Sequence, residues 1–408
     1  MTRTLPALAL LLALALPATA QKIAVTGGKT DQTNVVCTAK LPAGSPANPT
    51  ALKLADGTIV PAQRVNAGLL DPRDESQYIV FVLPKLKAGE TVDLTPASPP
   101  NTQPVFAFRP EKDGQTDLTF DKRKVLSCFH PKHDAKDHYY TFKPFHNVFD
   151  PATGEVMLTN TSAKTAKDGQ FPHHRGLFFG FNKISYGDKQ TADIWHGTKN
   201  VYSTQAKMAE PVAGAVFGRH AAEIAWHGED GKAFAKELRT VAVYNVPGGT
   251  LLDWSTELTT ELAKVRLDGD PQHAGFHFRA TQEVSKTTAK QTYYLRPDGK
   301  GKEGETRNWD AKGQDAKTVN LPWNAMSFVT NGTRYTAVRI NHPDNPGESR
   351  GSERDYGRFG DYFEFDLTPK TPLTLKYRVW LQEGEMTPAQ CEALAHGFAD
   401  KIEVTVSK

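Results

Sequence analysis

From about residue 105 onward, some 300 residues run with almost no helical periodicity. What recurs instead is alternation of apolar and polar residues, rich in aromatic and β-branched side chains and broken by Gly, Asp, Asn and Pro. "RGLFFGF" (175–181), "ELRTVAVYNV" (237–246), "RYTAVRI" (334–340) and "LTLKYRVWL" (373–381) are such stretches, and "HGEDGKAF" (227–234) carries an Asp-Gly suited to a hairpin. A chain this long with strands and no crossover helices cannot build a parallel α/β fold. It predicts an all-β protein dominated by a large antiparallel two-sheet sandwich. One helix is expected, over "TPAQCEALAHGFAD" (387–400), with Thr387 as N-cap and Pro388 in the first turn.

The N-terminal part divides further. Residues 1–20 carry one arginine, a short Leu/Ala run and an Ala-Thr-Ala ending, the pattern of a secretory leader cut after Ala20. That predicts an exported protein, periplasmic or extracellular, and no later segment has the length of apolar chain needed to span a bilayer. Residues 21–95, which include "QYIVFVLPKL" (77–86), predict a small β-sandwich. Residues 96–104 read as a Pro-rich linker, and 105–408 as the large unit. Lys+Arg (49) and Asp+Glu (46) nearly balance and are interspersed, which gives no electrostatic footprint for nucleic acid. The three cysteines, Cys37, Cys128 and Cys391, are far apart; they allow at most one disulfide and no Cys-x-x-Cys zinc spacing.

Thirteen histidines are the compositional oddity, and all but His342 and His396 fall between His130 and His277. In "FPHHRGLFFGF" (171–181), strand alternation puts His173 and Arg175 on one side and His174 on the other. In "GFHFRA" it pairs His277 with Arg279, opposite Phe276 and Phe278. An arginine beside a histidine favours the neutral imidazole, and its fork suits a carboxylate or vicinal hydroxyls. The predicted catalytic groups are therefore His173, His174, His277 and Tyr356, with Arg175 and Arg279 holding the substrate. His130, His133 and His138 lie in a polar stretch and are expected at the surface. His220, His227 and His396 are expected to be structural, and Trp226, Trp254 and Trp380 to belong to the core. No cofactor is expected. If a divalent metal binds, His146, His173, His174 and His196 are the ligands available, though none sits at a tight metal-ligand spacing. Neither a Gly-x-Ser-x-Gly elbow nor a phosphate loop is present.

The order of segments "KPFHNVFDPATGEVMLTN", "FPHHRGLFFGF", "ADIWHG", "GFHFRA", "RNWDAKG" and "INHPDNP" resembles the DUF6807 family, often labelled "PmoA" or "methane oxygenase". The resemblance covers about residues 120–385. It implies an exported protein found among carbohydrate-degrading gene sets, with a core similar to the supersandwich of sugar mutarotases and polysaccharide lyases. Its motif falls on Pro144, Phe145, His173, His174, Arg175, Gly176, Asp193, Trp195, Arg279, Trp309, Gly313, His342, Pro343 and Asn345, which adds Asp193, Trp195, Trp309 and His342 to the expected substrate contacts. One departure stands out: "GQFPHHRG" replaces the usual Asp-His before the proline, and Asp168 is displaced. A membrane-embedded methane oxygenase subunit would need several spanning helices, which this chain lacks after its leader. The resemblance thus implies an enzyme acting on glycans or uronate-containing oligosaccharides, possible classes being hydrolase, lyase and epimerase. The alternatives are a metal-dependent oxygenase and a non-catalytic glycan-binding protein.

Overall fold

The computed structural model describes residues 22–42, 50–66, 76–99, 104–111, 114–209 and 211–407. The leader sequence and the middle of the Pro-rich segment lie outside the described residues. The protein is all-β, as its periodicity predicts, and its sheets are antiparallel throughout the described residues. The helix forms at Pro388–Ala399. Thr387 Oγ1 accepts from Gln390 N at 3.3 Å, and Gln390 Oε1 accepts from Thr387 N at 2.8 Å, a complete capping box. The hairpin expected at 227–234 joins Phe217–His227 to Ala233–Tyr244 through Gly231, whose φ of 75° the turn requires.

In the large unit, a nine-stranded sheet packs face to face against a ten-stranded one. Phe179, Phe276 and Phe278 of the first meet Trp254, Tyr377 and Phe328 of the second. Leu177–Phe181 and Ala274–Arg279 lie side by side at the centre of the nine-stranded sheet, with Phe178 opposite His277 and Leu177 opposite Phe278. Alternation sends Leu177, Phe179, Phe276 and Phe278 into the core. Phe178, His277 and Arg279 go to the outer face. Both strands are buried along their whole length because loops cover that outer face. Those loops carry the candidate site.

The smaller unit is a seven-stranded antiparallel sheet around its own core of Ile23, Val25, Val35, Cys37, Ile79, Phe81, Leu83 and Leu94. Its composition departs from the expected division of the chain in two respects. The strand Glu403–Ser407, assigned from sequence to the large unit, returns to pair with Lys22–Thr26. The segment expected as linker also begins inside a strand, Thr91–Ala97. Gln63 Oε1 accepts from Val216 N and Phe217 N, and the helix buries Cys391 and Leu394 in a core that extends to Val36 and Val82, so the two units are packed together. All three cysteines are free and buried. Among the described residues no helix is long and apolar enough to cross a membrane.

Candidate active site

Two short turns set the site. Ile194 N donates to Phe181 O, which anchors the first turn at the end of a central strand. Within it Asp193 Oδ1 accepts from His196 N at 2.8 Å, and its other oxygen accepts from His196 Nδ1 at 2.8 Å. The second turn repeats the device just before the neighbouring central strand. Asp270 Oδ1 accepts from Gln272 N at 2.9 Å and from His273 Nδ1 at 2.9 Å, while Asn182 Nδ2 donates to Asp270 Oδ2 at 3.1 Å. Burial alone would raise the Asp270 carboxyl, but its bonds from His273, Gln272 and Asn182 outweigh that and hold it below the ordinary carboxylate range. Each carboxylate thus fixes one imidazole through Nδ1 and leaves Nε2 unencumbered.

A third turn, 171–176, brings two more imidazoles. Sequence alternation placed His173 and His174 on opposite sides. The segment is a turn rather than a strand: His174 N donates to Phe171 O at 3.0 Å, and Phe171 and Gly176 have φ of 52° and 57°. Asn160 Nδ2 donates to His174 O and pins it. As a result His173 and His174 point the same way, with ring centroids 4.3 Å apart. His173 lies 4.5 Å from His196, and His196 lies 5.0 Å from His273. One nitrogen from each of His173, His174 and His273 falls within 4.8 Å of the other two.

Trp195 and Phe178 form the floor, 5.5 Å and 5.8 Å from the His174 ring. Tyr356 stacks beside His174 at 6.3 Å, and Phe171, 38% exposed, lies 4.9 Å from Tyr356 at the rim. The mouth is made by His196 and His273, whose side chains are 27% and 29% exposed. His174 is buried, and neither of its ring nitrogens has a partner among the described residues. Burial, reinforced by His173 and nearby cationic groups, drives His174 well below the ordinary imidazole range. Burial and His196 lower His173 to about 2. Lys143 is buried under the floor, where its Nζ donates to Trp195 O at 2.7 Å; burial pushes it well below the usual lysine range.

Several expected site residues serve otherwise. Arg175 turns away from the cluster, stacks on Phe142 at 4.4 Å and donates to Tyr139 O and Tyr140 O. Arg279 donates to Tyr356 O and Gln170 O. Both guanidiniums are buried and hold backbone carbonyls, so neither is free for a substrate. His277 is sealed beneath Trp195, with Nε2 on Ala274 O at 2.8 Å and Nδ1 on the Arg358 guanidinium at 2.9 Å. Trp195 has no exposed face for a sugar. Asp193 is committed to His196. Trp309 sits under Arg350 at 4.4 Å, towards the edge of the nine-stranded sheet. His342 lies in a separate cleft, edge-on to Phe398 of the helix. His146 points into the core, where its Nε2 lies 3.2 Å from His220 Nε2, and Cys128 Sγ lies 3.0 Å from the same atom. His133 and His138, expected at the surface, are half-buried. They stack on Tyr202 and reach Gly197 O, bracing the 193–197 turn.

Of the expected residues, His173, His174, His196 and Tyr356 come together. His273 and Asp270 were missed. Their signal is a spacing: Asp193-Ile-Trp-His196 and Asp270-Pro-Gln-His273 are the same Asp-x-x-His turn used twice. Arg354 was also passed over. It projects from the outer face, packs on Tyr356 at 5.6 Å, and makes no ion pair among the described residues.

A family model described as a family of unknown function, DUF6807, matches residues 115–396. No curated protein matches the chain. Among solved structures it is similar to a protein in the glycosyl hydrolase family 38 from Enterococcus faecalis, with a TM-score of 0.43 and 10% identity over 96% of this chain and 48% of that one. It is also similar to an alpha-mannosidase from Enterococcus faecalis V583, with a TM-score of 0.44 and 10% identity over 96% and 46%. The chain spans about half the length of each.

Proposed function

The chain belongs to the DUF6807 family, and we propose that it is an exported enzyme that acts on glycans at the imidazole cluster. The observation that carries this reading is the convergence of His173, His174, His196 and His273 at a solvent-facing mouth beside the exposed ring of Phe171. Two of the four are held by carboxylates, and a rim aromatic offers a face for a sugar ring. The leader pattern of residues 1–20 supports export.

The roles differ from those that sequence suggested. His173 and His174 stay neutral near pH 7 and cannot serve as acids, because burial disfavours their charged forms. Proton transfer falls to His196, which is half-exposed at the mouth and oriented by Asp193 through Nδ1. Arg354 replaces Arg175 and Arg279 as the guanidinium available to a uronate carboxylate.

The test is a mass-spectrometric screen of neutral and uronate-containing oligosaccharides with the purified mature chain. Wild type is expected to form product, and His196→Ala to lose about 10²–10⁴ of the rate, the usual worth of a positioned acid–base group. Arg354→Ala should raise KM on uronates and leave neutral substrates unaffected. Undiminished turnover in His196→Ala would remove the assignment, and saturable sugar binding without product would make this a binding protein.

A further inference from the structure

Two histidine clusters lie in the large unit, and they differ in what stands behind the imidazoles. In the core, Cys128 Sγ and His146 Nε2 both meet His220 Nε2, the Nδ1 atoms of both rings are unpartnered among the described residues, no carboxylate backs either ring, and all three side chains are buried between the sheets. At the outer face, His273 and His196 each lean on a carboxylate through Nδ1. That arrangement fixes a ring so that Nε2 projects as a lone-pair donor, as it does behind metal-bound histidines.

A second observation is independent of the first. His174 is buried with both ring nitrogens unpartnered among the described residues, and His173 Nε2 is likewise buried and unpartnered. A neutral imidazole has one donor and one acceptor, and leaving both unmatched away from water is unfavourable. The rings packed around His174 are His173, Trp195 and Phe178; the phenyl ring offers no hydrogen-bonding group and the indole can only donate. An electrophile at the centre of the cluster would satisfy the lone pairs.

We propose that His173, His174 and His273 bind one divalent first-row transition-metal ion of the imidazole-preferring class, with Asp270 as the positioning residue behind His273. The three nitrogens already lie within 4.8 Å of one another, and tetrahedral ligation at about 2.0–2.1 Å requires them to close by up to about 1.5 Å. Three imidazoles leave a coordination position open toward the mouth, where His196 stands 4.5 Å from the His173 ring. An all-nitrogen set suits Zn²⁺, Cu²⁺, Fe²⁺ or Ni²⁺ and is poor for Ca²⁺ or Mg²⁺. The bound ion would supply Lewis-acid polarisation of a substrate oxygen or of water. The proposal deepens the reading of this cluster as the working site and rests on it.

The experiment is elemental analysis of the full mature chain purified without chelator, followed by titration of the stripped protein with Co²⁺ and Zn²⁺. About one equivalent of metal and a Co²⁺ d–d absorption band displaced by Zn²⁺ are expected. His273→Ala, at the half-exposed mouth, should abolish the band while the melting transition of the metal-free protein persists. Asp270→Asn should weaken affinity about 10–100-fold. His220→Gln, in the core cluster, should retain the metal. No stoichiometric metal and no band in wild type, or a band indifferent to His273→Ala, overturns the proposal. Metal without turnover of any glycan would instead refute the glycan assignment and leave the metal site standing. Turnover by metal-free protein would leave the glycan assignment standing and remove the ion's Lewis-acid role.

Discussion

At His277 both ring nitrogens are committed, one to Ala274 O and one to the Arg358 guanidinium. Four residues earlier, His273 has one nitrogen held by Asp270 and the other facing the cluster. The same side chain is a packing element in one place and a lone-pair donor in the other, and its neighbours alone decide which. The buried imidazoles away from the site also set how stability depends on pH. Burial lowers His146 and His277 well below the ordinary range and His220 to about 3. In the unfolded chain these groups titrate near 6.5. Between pH 6.5 and about 3 the unfolded state therefore binds protons that the folded state refuses, so stability falls as pH falls, by up to about 1.4 kcal/mol per pH unit for each such histidine. Thermal melts from pH 7 to 4 should show a steep loss, shallower in His220→Gln than in wild type. A melting temperature that holds steady down to pH 4 would mean these imidazoles are charged when folded.

The elements that were legible in the sequence are those with a repeating pattern. Leu373–Glu383, Thr333–Asn341 and Ala274–Arg279 could be read because aromatic and β-branched residues are interleaved with polar ones along each, even where, as in Ala274–Arg279, both faces end up buried. The helix could be read from Thr387 and Pro388. The site was legible in part: "FPHHRG" marked its position, but extending strand alternation back to His173 gave the wrong facing for His173, His174 and Arg175. A turn closed by Phe171 and Gly176 at positive φ leaves no period to read, and the partner of that turn, Asp270-x-x-His273, lies about a hundred residues on. Arg175 and Arg279 misled for a related reason: an arginine beside a histidine looks the same whether it serves a ligand or backbone carbonyls. Gly176 is the hinge on which this geometry depends. A Cβ there would sit 2.0 Å from His146 O, and φ of 57° already disfavours other residues by about 1–2 kcal/mol. Gly176→Ala is expected to lower the urea midpoint and to displace His173 and His174 together. Metal binding or activity at the wild-type level in that variant would show that the turn tolerates rebuilding.

Across the whole molecule, the two units are tied by the helix, by Gln63 and by the strand Glu403–Ser407. Removing residues 401–407 would strip Ile402, Val404 and Val406 from the smaller core and bare the edge of Lys22–Thr26. Limited proteolysis of that truncated chain should give new cuts between residues 22 and 99 while the large unit stays intact. An unchanged digestion pattern would show that the strand is dispensable. The pairing also fixes an order of events in biosynthesis. Ser407 Oγ reaches Lys22 O across 385 residues of chain. At about 5–20 residues per second, Lys22–Thr26 waits about 20–80 s after its own synthesis for its neighbour. The smaller unit is thus begun before the large unit and closed after it, and until then the nascent chain offers an unfinished sheet to whatever receives it.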